Sequence, residues 1–134
     1  MDHENIARVF ASGEDQGLHF IAFEYVEGLD LKSLLDSRGK FSPHEAIPLI
    51  YQACLGLEHA ASKGMVHRDI KPSNLVLMPG GKLKVIDMGL ARNLDQSAES
   101  GMTRSGITLG TFDYLSPEQA IDPRAADARS DIYS

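Results

Sequence analysis

One long helical pattern, set between two pairs of β-rich runs, constrains most strongly what this chain can fold into. The segment SPHE (42–45) is typical of a capping box with proline at the first helical position, and it predicts a helix to about Lys63, before Gly64. Apolar residues at helical spacing should form its buried face: Ala46, Ile50, Ala53, Cys54, Leu57 and Ala61. Pro48 lies too deep for the free first turn, so a kink or a delayed start is expected there.

Two predicted hairpins flank this helix. Ile6–Gly13 and Leu18–Val26 are β-rich runs separated by the turn EDQG (14–17), and the second run is apolar on both faces apart from Glu24, as a covered strand would be. After the helix, Leu75–Asp87 contains two short apolar runs around a Pro-Gly-Gly sequence. That arrangement predicts a second hairpin.

A short helix is predicted between the first hairpin and the long helix. Asp30 is a suitable N-cap, Leu31–Arg38 carries leucines on one face, and Gly39 follows as a C-terminal stop. From residue 89 to residue 116 the sequence turns to Ser, Thr, Gly and Asp without a sustained period. A stretch of that length inside a compact domain is either functional or mobile.

Composition excludes several classes of protein. Of 134 residues, 43% are hydrophobic and 24% are charged, which is ordinary for a globular domain, and the net charge of −6 argues against a nucleic-acid or anionic-membrane surface. No apolar run approaches the roughly 20 residues of a membrane span. The acidic N-terminus lacks the layout of a signal peptide, so a cytoplasmic chain is expected. Cys54 has no partner for an internal disulfide and is expected to be a buried structural thiol.

The polar segment HRDIKPSN (67–74) separates the long helix from the second hairpin. For any one of its residues, a solvated charge on a surface turn or an N-cap is the simpler interpretation. Taken together, they are harder to dismiss: one turn would hold a base, a cation and an amide acceptor, which are Asp69, Lys71 and Asn74. The hairpin that follows would return Asp87 close to Asn74. A carboxylate and an amide oxygen suit Mg²⁺, while the lysine could neutralise a transferring phosphoryl group and Asp69 could orient an attacking hydroxyl.

Three segments resemble, in order and spacing, the catalytic loop, the metal-binding triplet and the end of the activation segment of protein kinases: HRDIKPSN (67–74), DMG (87–89) and SPE (116–118). Four others extend the resemblance over the whole chain, most closely to bacterial serine/threonine kinases of eukaryotic type: HENI (3–6), EYVEG (24–28), GTFDYLSPEQ (110–119) and SDIYS (130–134). The resemblance implies an enzyme that uses ATP and Mg²⁺ and phosphorylates Ser and Thr hydroxyls of protein substrates.

The implied fold class is α+β, a partial protein-kinase-like fold. Residues 1–26 would be the last small-lobe strands and the hinge, and residues 27–134 would be the first, mainly helical part of the large lobe, through the activation segment. The glycine-rich loop, the strand lysine and the helix glutamate of the family have no counterpart in the sequence. We therefore expect a piece of a gene, truncated at both ends, with weak or no activity and marginal folding as an isolated chain.

The resemblance assigns the reacting groups. Asp69 would be the catalytic base, and Lys71 would steady the γ-phosphate and favour serine/threonine over tyrosine specificity. Asn74 and Asp87 would hold Mg²⁺. Met88 replaces the usual Phe of the metal triplet, and its flexible side chain could fill the same apolar slot with less rigidity.

The nucleotide pocket would lie at the hinge. Glu24 and Val26 would offer backbone hydrogen bonds to adenine, and Phe23 would close the back of the pocket. Asp30 would lie by the ribose, and Val76 would form part of the adenine floor. Phe23 and Val76 are also compatible with core positions that touch no ligand.

Regulatory and structural roles complete the implied set. The Arg68 guanidinium could bind a phosphorylated residue of the activation loop. The candidate phosphosites are Thr103, Ser105 and Thr108; the scatter of Ser and Thr in that stretch is equally typical of a flexible loop. Thr111 would hydrogen-bond near Asp69.

Three further residues are expected to act structurally. His67 would pack in the core or bond to backbone, Asp131 would anchor the backbone of the catalytic loop, and Glu118 would pair with an arginine further along the family's sequence.

A second hypothesis remains open beside the enzyme: a non-catalytic interaction module, either a pseudokinase or a truncated chain. A glycine-rich loop and a strand lysine upstream would favour the enzyme.

Overall fold

The computed structural model describes residues 1–88 and 112–134. Its strands and helices, in chain order, are β1 (Val9–Asp15), β2 (Leu18–Phe23), β3 (Leu29–Asp30), α1 (Leu31–Arg38), α2 (Pro43–Ser62), β4 (Leu75–Leu77), β5 (Leu83–Val85), α3 (Pro117–Ile121) and α4 (Ala128–Tyr133). Three single 3-10 turns lie at Pro72–Asn74, Phe112–Tyr114 and Pro123–Ala125. The predicted α+β class is confirmed.

Strands β1 and β2 form the first predicted hairpin, but its turn is shorter than predicted. Asp15 still pairs with Leu18, so only Gln16 and Gly17 form the turn. Their φ angles are 50° and 79°, and two successive positive values are typical of the type I′ turns that suit the twist of a hairpin. Glycine tolerates this conformation without strain, whereas Gln16 adopts it against the preference of a side chain with a Cβ.

The prediction that the second run is a covered strand is wrong. Every residue of β1 is exposed, and the Leu18 side chain at the start of β2 is 74% exposed. In the described part of the chain the hairpin is a two-stranded sheet that no further strand joins. An apolar pattern on two faces indicates a strand that is covered on both sides by other layers of the fold. The layers that would cover β2 are not among the residues that the structure describes.

The second predicted hairpin, β4–β5, is confirmed and forms the centre of a three-stranded sheet in the order β3-β4-β5. Strand β3 was not predicted; its Leu29 pairs with Leu77, and its Asp30 pairs with Val76. Gly28 permits this pairing, because a Cβ at that position would lie 2.4 Å from the Leu77 carbonyl oxygen. A parallel bridge between Ile6 and Val85 adds the N-terminal segment to the other edge.

The predicted caps of α1 are confirmed. Asp30 accepts a hydrogen bond from the Ser33 N–H at 2.9 Å, which satisfies one of the free donors of the first turn. Gly39 ends the helix with a φ of 82°, and its N–H donates to the Leu35 carbonyl.

The predicted capping box of α2 is confirmed as well. The Ser42 N–H donates to Glu45 Oε2 at 2.9 Å, and the Ser42 hydroxyl accepts from the Glu45 N–H. The Arg38 guanidinium, followed by the Ser42 N–H and by the Ser42 hydroxyl, which also donates to Glu45 Oε2 at 2.8 Å, lowers the pKa of Glu45 to about 2. The helix begins at Pro43 and runs unbroken through Pro48, so the alternative of a delayed start is wrong.

The predicted buried face of α2 is displaced, although Ala53 is buried as predicted. Ile50 is 51% exposed and Cys54 is exposed, so the prediction of a buried thiol is wrong. The residues that bury the helix against the sheet are Leu49, Ala53, Gly56 and Ala60. Gly56 explains the displacement, because its missing side chain lets α2 approach the backbone of Asn5 so closely that a Cβ would lie 3.0 Å from the Asn5 oxygen.

The apolar residues predicted for the buried face line a groove of about 740 Å³ between α2 and α4. The hydrophobic core lies between α2 and the three-stranded sheet, and several of its residues also form the floor of this groove. It consists of Ile6, Leu31, Leu49, Ala53, Ala60, Ile70, Leu75, Leu83, Val85 and Met88. Among the described helices none is both long and apolar enough to cross a bilayer.

Candidate functional site

The polar segment lies between α2 and β4, where the 3-10 turn Pro72–Asn74 folds it back on itself. The buried amide of Asn74 donates from Nδ2 to the Asp69 carbonyl at 2.8 Å and to Asp69 Oδ2 at 3.2 Å. Lys71 Nζ lies 2.7 Å from the same carboxylate oxygen. The structure therefore brings Asp69, Lys71 and Asn74 together, and 45% of the Asp69 side chain remains accessible to solvent.

Asp87 lies at the same end of the β4–β5 hairpin as Asn74. The Ile86 N–H donates to the Asn74 carbonyl at 3.0 Å, which continues the strand pairing by one step and leaves Asp87 next in the chain. Asp87 has a φ of 65°, a value in the left-handed region. Such a conformation costs of order 1–3 kcal/mol and is typical of functional sites, where surrounding contacts hold it.

Asn74 and Asp87 have the chemistry of a magnesium site. Because Asn74 Nδ2 is engaged with Asp69, its Oδ1 is the atom left to face a ligand, and Asp87 supplies a carboxylate. A carboxylate and one neutral oxygen suit Mg²⁺, which keeps several waters and shares substrate phosphates. No cluster of three or more His, Cys, Asp or Glu side chains with metal-binding geometry occurs in the described ranges.

His67 is almost fully buried, with 1% of its surface exposed, and both ring nitrogens bond to backbone. Nδ1 accepts from the Asp69 N–H at 3.2 Å, so the proton is assigned to Nε2, which lies 2.8 Å from the Ile86 carbonyl oxygen. The ring thus links the polar segment to the residue that precedes Asp87.

Asp131, at the start of α4, contacts the polar segment from the other side. Its carboxylate accepts from the His67 N–H at 2.8 Å and from the Arg68 N–H at 2.7 Å. Arg68 has a φ of 70° and, like Asp87, lies in the left-handed region. A buried carboxylate with two backbone donors compensates for a backbone that an L-residue rarely adopts.

Gln119 completes this contact, and the sequence did not single it out. Its Nε2 donates to the Arg68 carbonyl at 2.8 Å, while its Oε1 accepts from the Ser116 hydroxyl at 3.0 Å. The spacing from Ser116 is that of a capping box, so the local bond had a sequence signal. The bond to Arg68 spans 51 residues and had none.

Glu24 connects the first hairpin to β5 through Lys84, which the sequence also did not single out. Lys84 Nζ lies 2.6 Å and 2.7 Å from the two carboxylate oxygens, and the Arg8 N–H donates to the same carboxylate at 3.0 Å. The bond to the Lys84 ammonium, followed by that to Arg8, lowers the pKa of Glu24.

The other residues predicted for the nucleotide pocket differ in their burial and surroundings. Phe23 and Val26 are half-buried, and Val76 is 8% exposed within the core sheet. Asp30 faces Val76 in the β3–β4 register. Its carboxylate accepts from the side chain and the N–H of Ser33, and the side-chain bond is the main reason that the pKa of Asp30 is lowered.

The predicted regulatory residues are only partly within the described chain: Thr103, Ser105, Thr108 and Thr111 lie outside it. Glu118, whose arginine partner in the family was not expected within this chain, accepts from the Ser130 hydroxyl at 2.6 Å, and this bond is the main reason that its pKa is lowered.

Comparison with known proteins gives one consistent result. The model of the protein kinase domain matches residues 1–134. The chain is 39% identical to a probable serine/threonine-protein kinase of Corynebacterium efficiens, over 100% of this chain and 21% of that protein. It is 38% identical to the serine/threonine-protein kinase PknB of Mycolicibacterium smegmatis and 36% identical to PknB of Mycobacterium leprae, in each case over 100% of this chain and 22% of the relative. The chain thus spans about a fifth of the length of these relatives.

Proposed function

The chain belongs to the protein kinase domain family, and from this premise we propose that the whole protein transfers the γ-phosphoryl group of ATP to Ser and Thr hydroxyls of protein substrates. The names of its relatives support the class of acceptor. One observation carries the proposal: Asp69, Lys71 and Asn74 are in mutual contact within a single loop, next to the hairpin that ends in Asp87.

Asp69 is the proposed base. Its carboxylate is accessible to an incoming hydroxyl, while the two hydrogen bonds from Asn74 hold its position. Lys71, whose ammonium lies on this carboxylate, supplies positive charge beside the transferring phosphoryl group. Asn74 and Asp87 would hold Mg²⁺, which when bound neutralises charge on the nucleotide phosphates.

The proposed nucleotide pocket lies between the hinge and strand β4. Backbone groups of Glu24 and Val26 would bind the adenine edge, Phe23 would close the back, Val76 would contact the ring face and Asp30 would lie by the ribose. The register supports this grouping, because Asp30 and Val76 are cross-strand partners.

We further propose that residues 1–26 are the end of the small lobe with the hinge and that residues 27–134 are the large lobe through the activation segment. A cytoplasmic location is proposed because the nucleotide substrate is found there. Arg68 is the proposed receiver of a phosphate on Thr103, Ser105 or Thr108. Thr111 is proposed to act near Asp69, and His67, Glu118 and Asp131 to hold the loop and the helices in place.

Phosphotransfer by the whole protein to a Ser/Thr peptide library tests the proposal. Asp69→Asn should lower kcat by roughly 100- to 10,000-fold, because the hydroxyl loses its proton acceptor. Asp36→Asn is the matched control: it makes the same chemical change at an exposed helix position paired with Lys32, and should leave kcat unchanged.

Two results would overturn the proposal: a whole protein without Mg·ATP-dependent transfer, or an Asp69→Asn variant with the wild-type rate. Either would favour the non-catalytic module. The isolated 134-residue chain, assayed in parallel, is expected to show weak or no transfer.

A further inference from the structure

We infer that Gln119 is a positioning residue for Asp69, and this inference rests on the proposed phosphotransfer. Gln119 lies in α3, 50 residues along the chain from Asp69, and is 5% exposed. Its side-chain amide fixes the orientation of the peptide unit that joins Arg68 to Asp69. The direction of the proposed catalytic carboxylate therefore depends on the segment that contains Gln119.

Hydrogen bonds hold both polar groups of that peptide unit. Its carbonyl, which belongs to Arg68, accepts from Gln119 Nε2 at 2.8 Å. Its N–H, which belongs to Asp69, donates to His67 Nδ1 at 3.2 Å. The preceding peptide unit is held at its N–H by Asp131 Oδ1 at 2.7 Å.

These bonds matter because Arg68 has a φ of 70°. An L-residue leaves that region unless its surroundings hold it there. Asp131 holds the N–H on one side of Arg68, and Gln119 holds the carbonyl on the other. Without Gln119 the Arg68–Asp69 peptide unit could rotate, and the Cα–Cβ bond of Asp69 would turn with it.

The Gln119 amide itself has only one workable orientation. Its Oε1 accepts from the Ser116 hydroxyl at 3.0 Å and from the Ser116 N–H at 3.3 Å. The Ser116 N–H demands an acceptor and the Arg68 carbonyl demands a donor, so the amide oxygen must face Ser116 and the amide nitrogen must point to Arg68. Gln119→Glu keeps the acceptor towards Ser116 and replaces the donor towards Arg68 by a second oxygen, which makes it a selective probe.

The experiment measures kcat, the KM for ATP and amide hydrogen exchange in the whole protein. Gln119→Glu should lower kcat by about 10- to 100-fold, as a misplaced catalytic group does, and leave the KM for ATP unchanged. Exchange at the Asp69 amide should become faster. Gln119→Met removes the donor without adding a charge. It should likewise lower kcat and speed exchange at the Asp69 amide, with the KM for ATP unchanged, and it replaces Gln119→Glu in the experiment if that variant does not fold.

Two variants separate positioning from general stability. Gln16→Glu makes the same chemical change in an exposed turn and should alter none of the three quantities. Ser116→Ala removes the hydroxyl bond to Gln119 but keeps the donor to Arg68, so it should lower Tm while kcat per folded molecule stays the same.

The outcomes distinguish this inference from the proposed function. Suppose that the wild type transfers phosphate and that Asp69→Asn does not. A folded Gln119 variant with the wild-type kcat would then overturn the inference, and the proposed function would stand. An equal loss of kcat in Ser116→Ala overturns it too, since the effect then follows from the helix cap. If the wild type transfers no phosphate, both are overturned.

Discussion

The two hairpins of this molecule were both predicted from β-rich runs, and their surroundings are opposite. In the first, β1–β2, the run of β2 was predicted to be apolar on both faces, yet Leu18 is 74% exposed and β1 is exposed along its whole length. The second, β4–β5, has three-residue strands, yet Leu83 and Val85 are fully buried. The second is joined by β3, by the N-terminal segment at Ile6 and by α2, whereas the first has only its own two strands among the described residues. Burial thus follows from the neighbouring layers and not from the pattern of the strand.

The same contrast separates the two kinds of site residue. Asn74 and Asp87 are positioned by the buried hairpin, with the Ile86 N–H bonded to the Asn74 carbonyl. The residues of the proposed hinge follow the exposed hairpin, and Glu24 is connected to the core sheet by its bond to Lys84. The proposed phosphate chemistry therefore lies beside the buried hairpin, and the segment of the proposed adenine contacts is connected to that hairpin by a side-chain bridge.

The largest effect is expected from a matched pair of leucine truncations. Leu83→Ala should lower the free energy of unfolding by about 2–5 kcal/mol, because it opens a cavity in the core. Leu18→Ala, at a position that is 74% exposed, should cost less than about 0.5 kcal/mol. Urea denaturation of both variants measures the difference. Equal losses would show that the first hairpin is as well covered as the second in solution.

How far the sequence predicted this contrast depends on the range of each interaction. The caps at Asp30, Gly39 and Ser42 were predicted correctly, since each acts within a few residues. The covered β2, the buried Cys54 and the buried Ile50 were predicted wrongly. These errors share one cause: periodicity shows which face of an element is apolar, but another element decides whether that face is covered.

Within the candidate site the division is similar. The polar segment was recognised because its reacting groups lie within eight residues. Gln119 and Lys84 were missed because their bonds to Arg68 and Glu24 span 51 and 60 residues. Nothing near either residue in the sequence indicates such a partner.

The bridge between the two hairpins provides a prediction of intermediate size. Glu24→Gln should lower the free energy of unfolding by about 1 kcal/mol at pH 7, because the charge-assisted bonds to Lys84 become neutral ones. The pKa of Glu24 is lowered in the folded state from its ordinary value of 4.5. Its contribution is therefore present above pH 4.5 and disappears as the pH falls through the lower, folded pKa.

Urea denaturation of the wild type and of Glu24→Gln at pH 7 and at pH 3 measures this. The gap between the two proteins should narrow at the lower pH. Glu27→Gln, at an exposed position three residues along the chain, is the matched control and should show no gap at either pH. A gap that persists unchanged at pH 3 would mean that the Glu24 charge does not connect the hairpins.

The smallest effect is expected at the turn of the first hairpin. Gln16 has a φ of 50°, and asparagine tolerates that region better, so Gln16→Asn should stabilise the turn by about 0.5 kcal/mol. Gln16→Ala retains a Cβ without the local hydrogen bonding of asparagine and should give no gain.

Because the first hairpin has no covering layer in the described chain, it should open without the core. The gain should then slow hydrogen exchange of the β1 and β2 amides, while the urea midpoint of the core, which unfolds after the hairpin has opened, stays the same. A rise in the core midpoint would mean that both hairpins unfold as one unit, and the contrast between them would then be one of exposure alone.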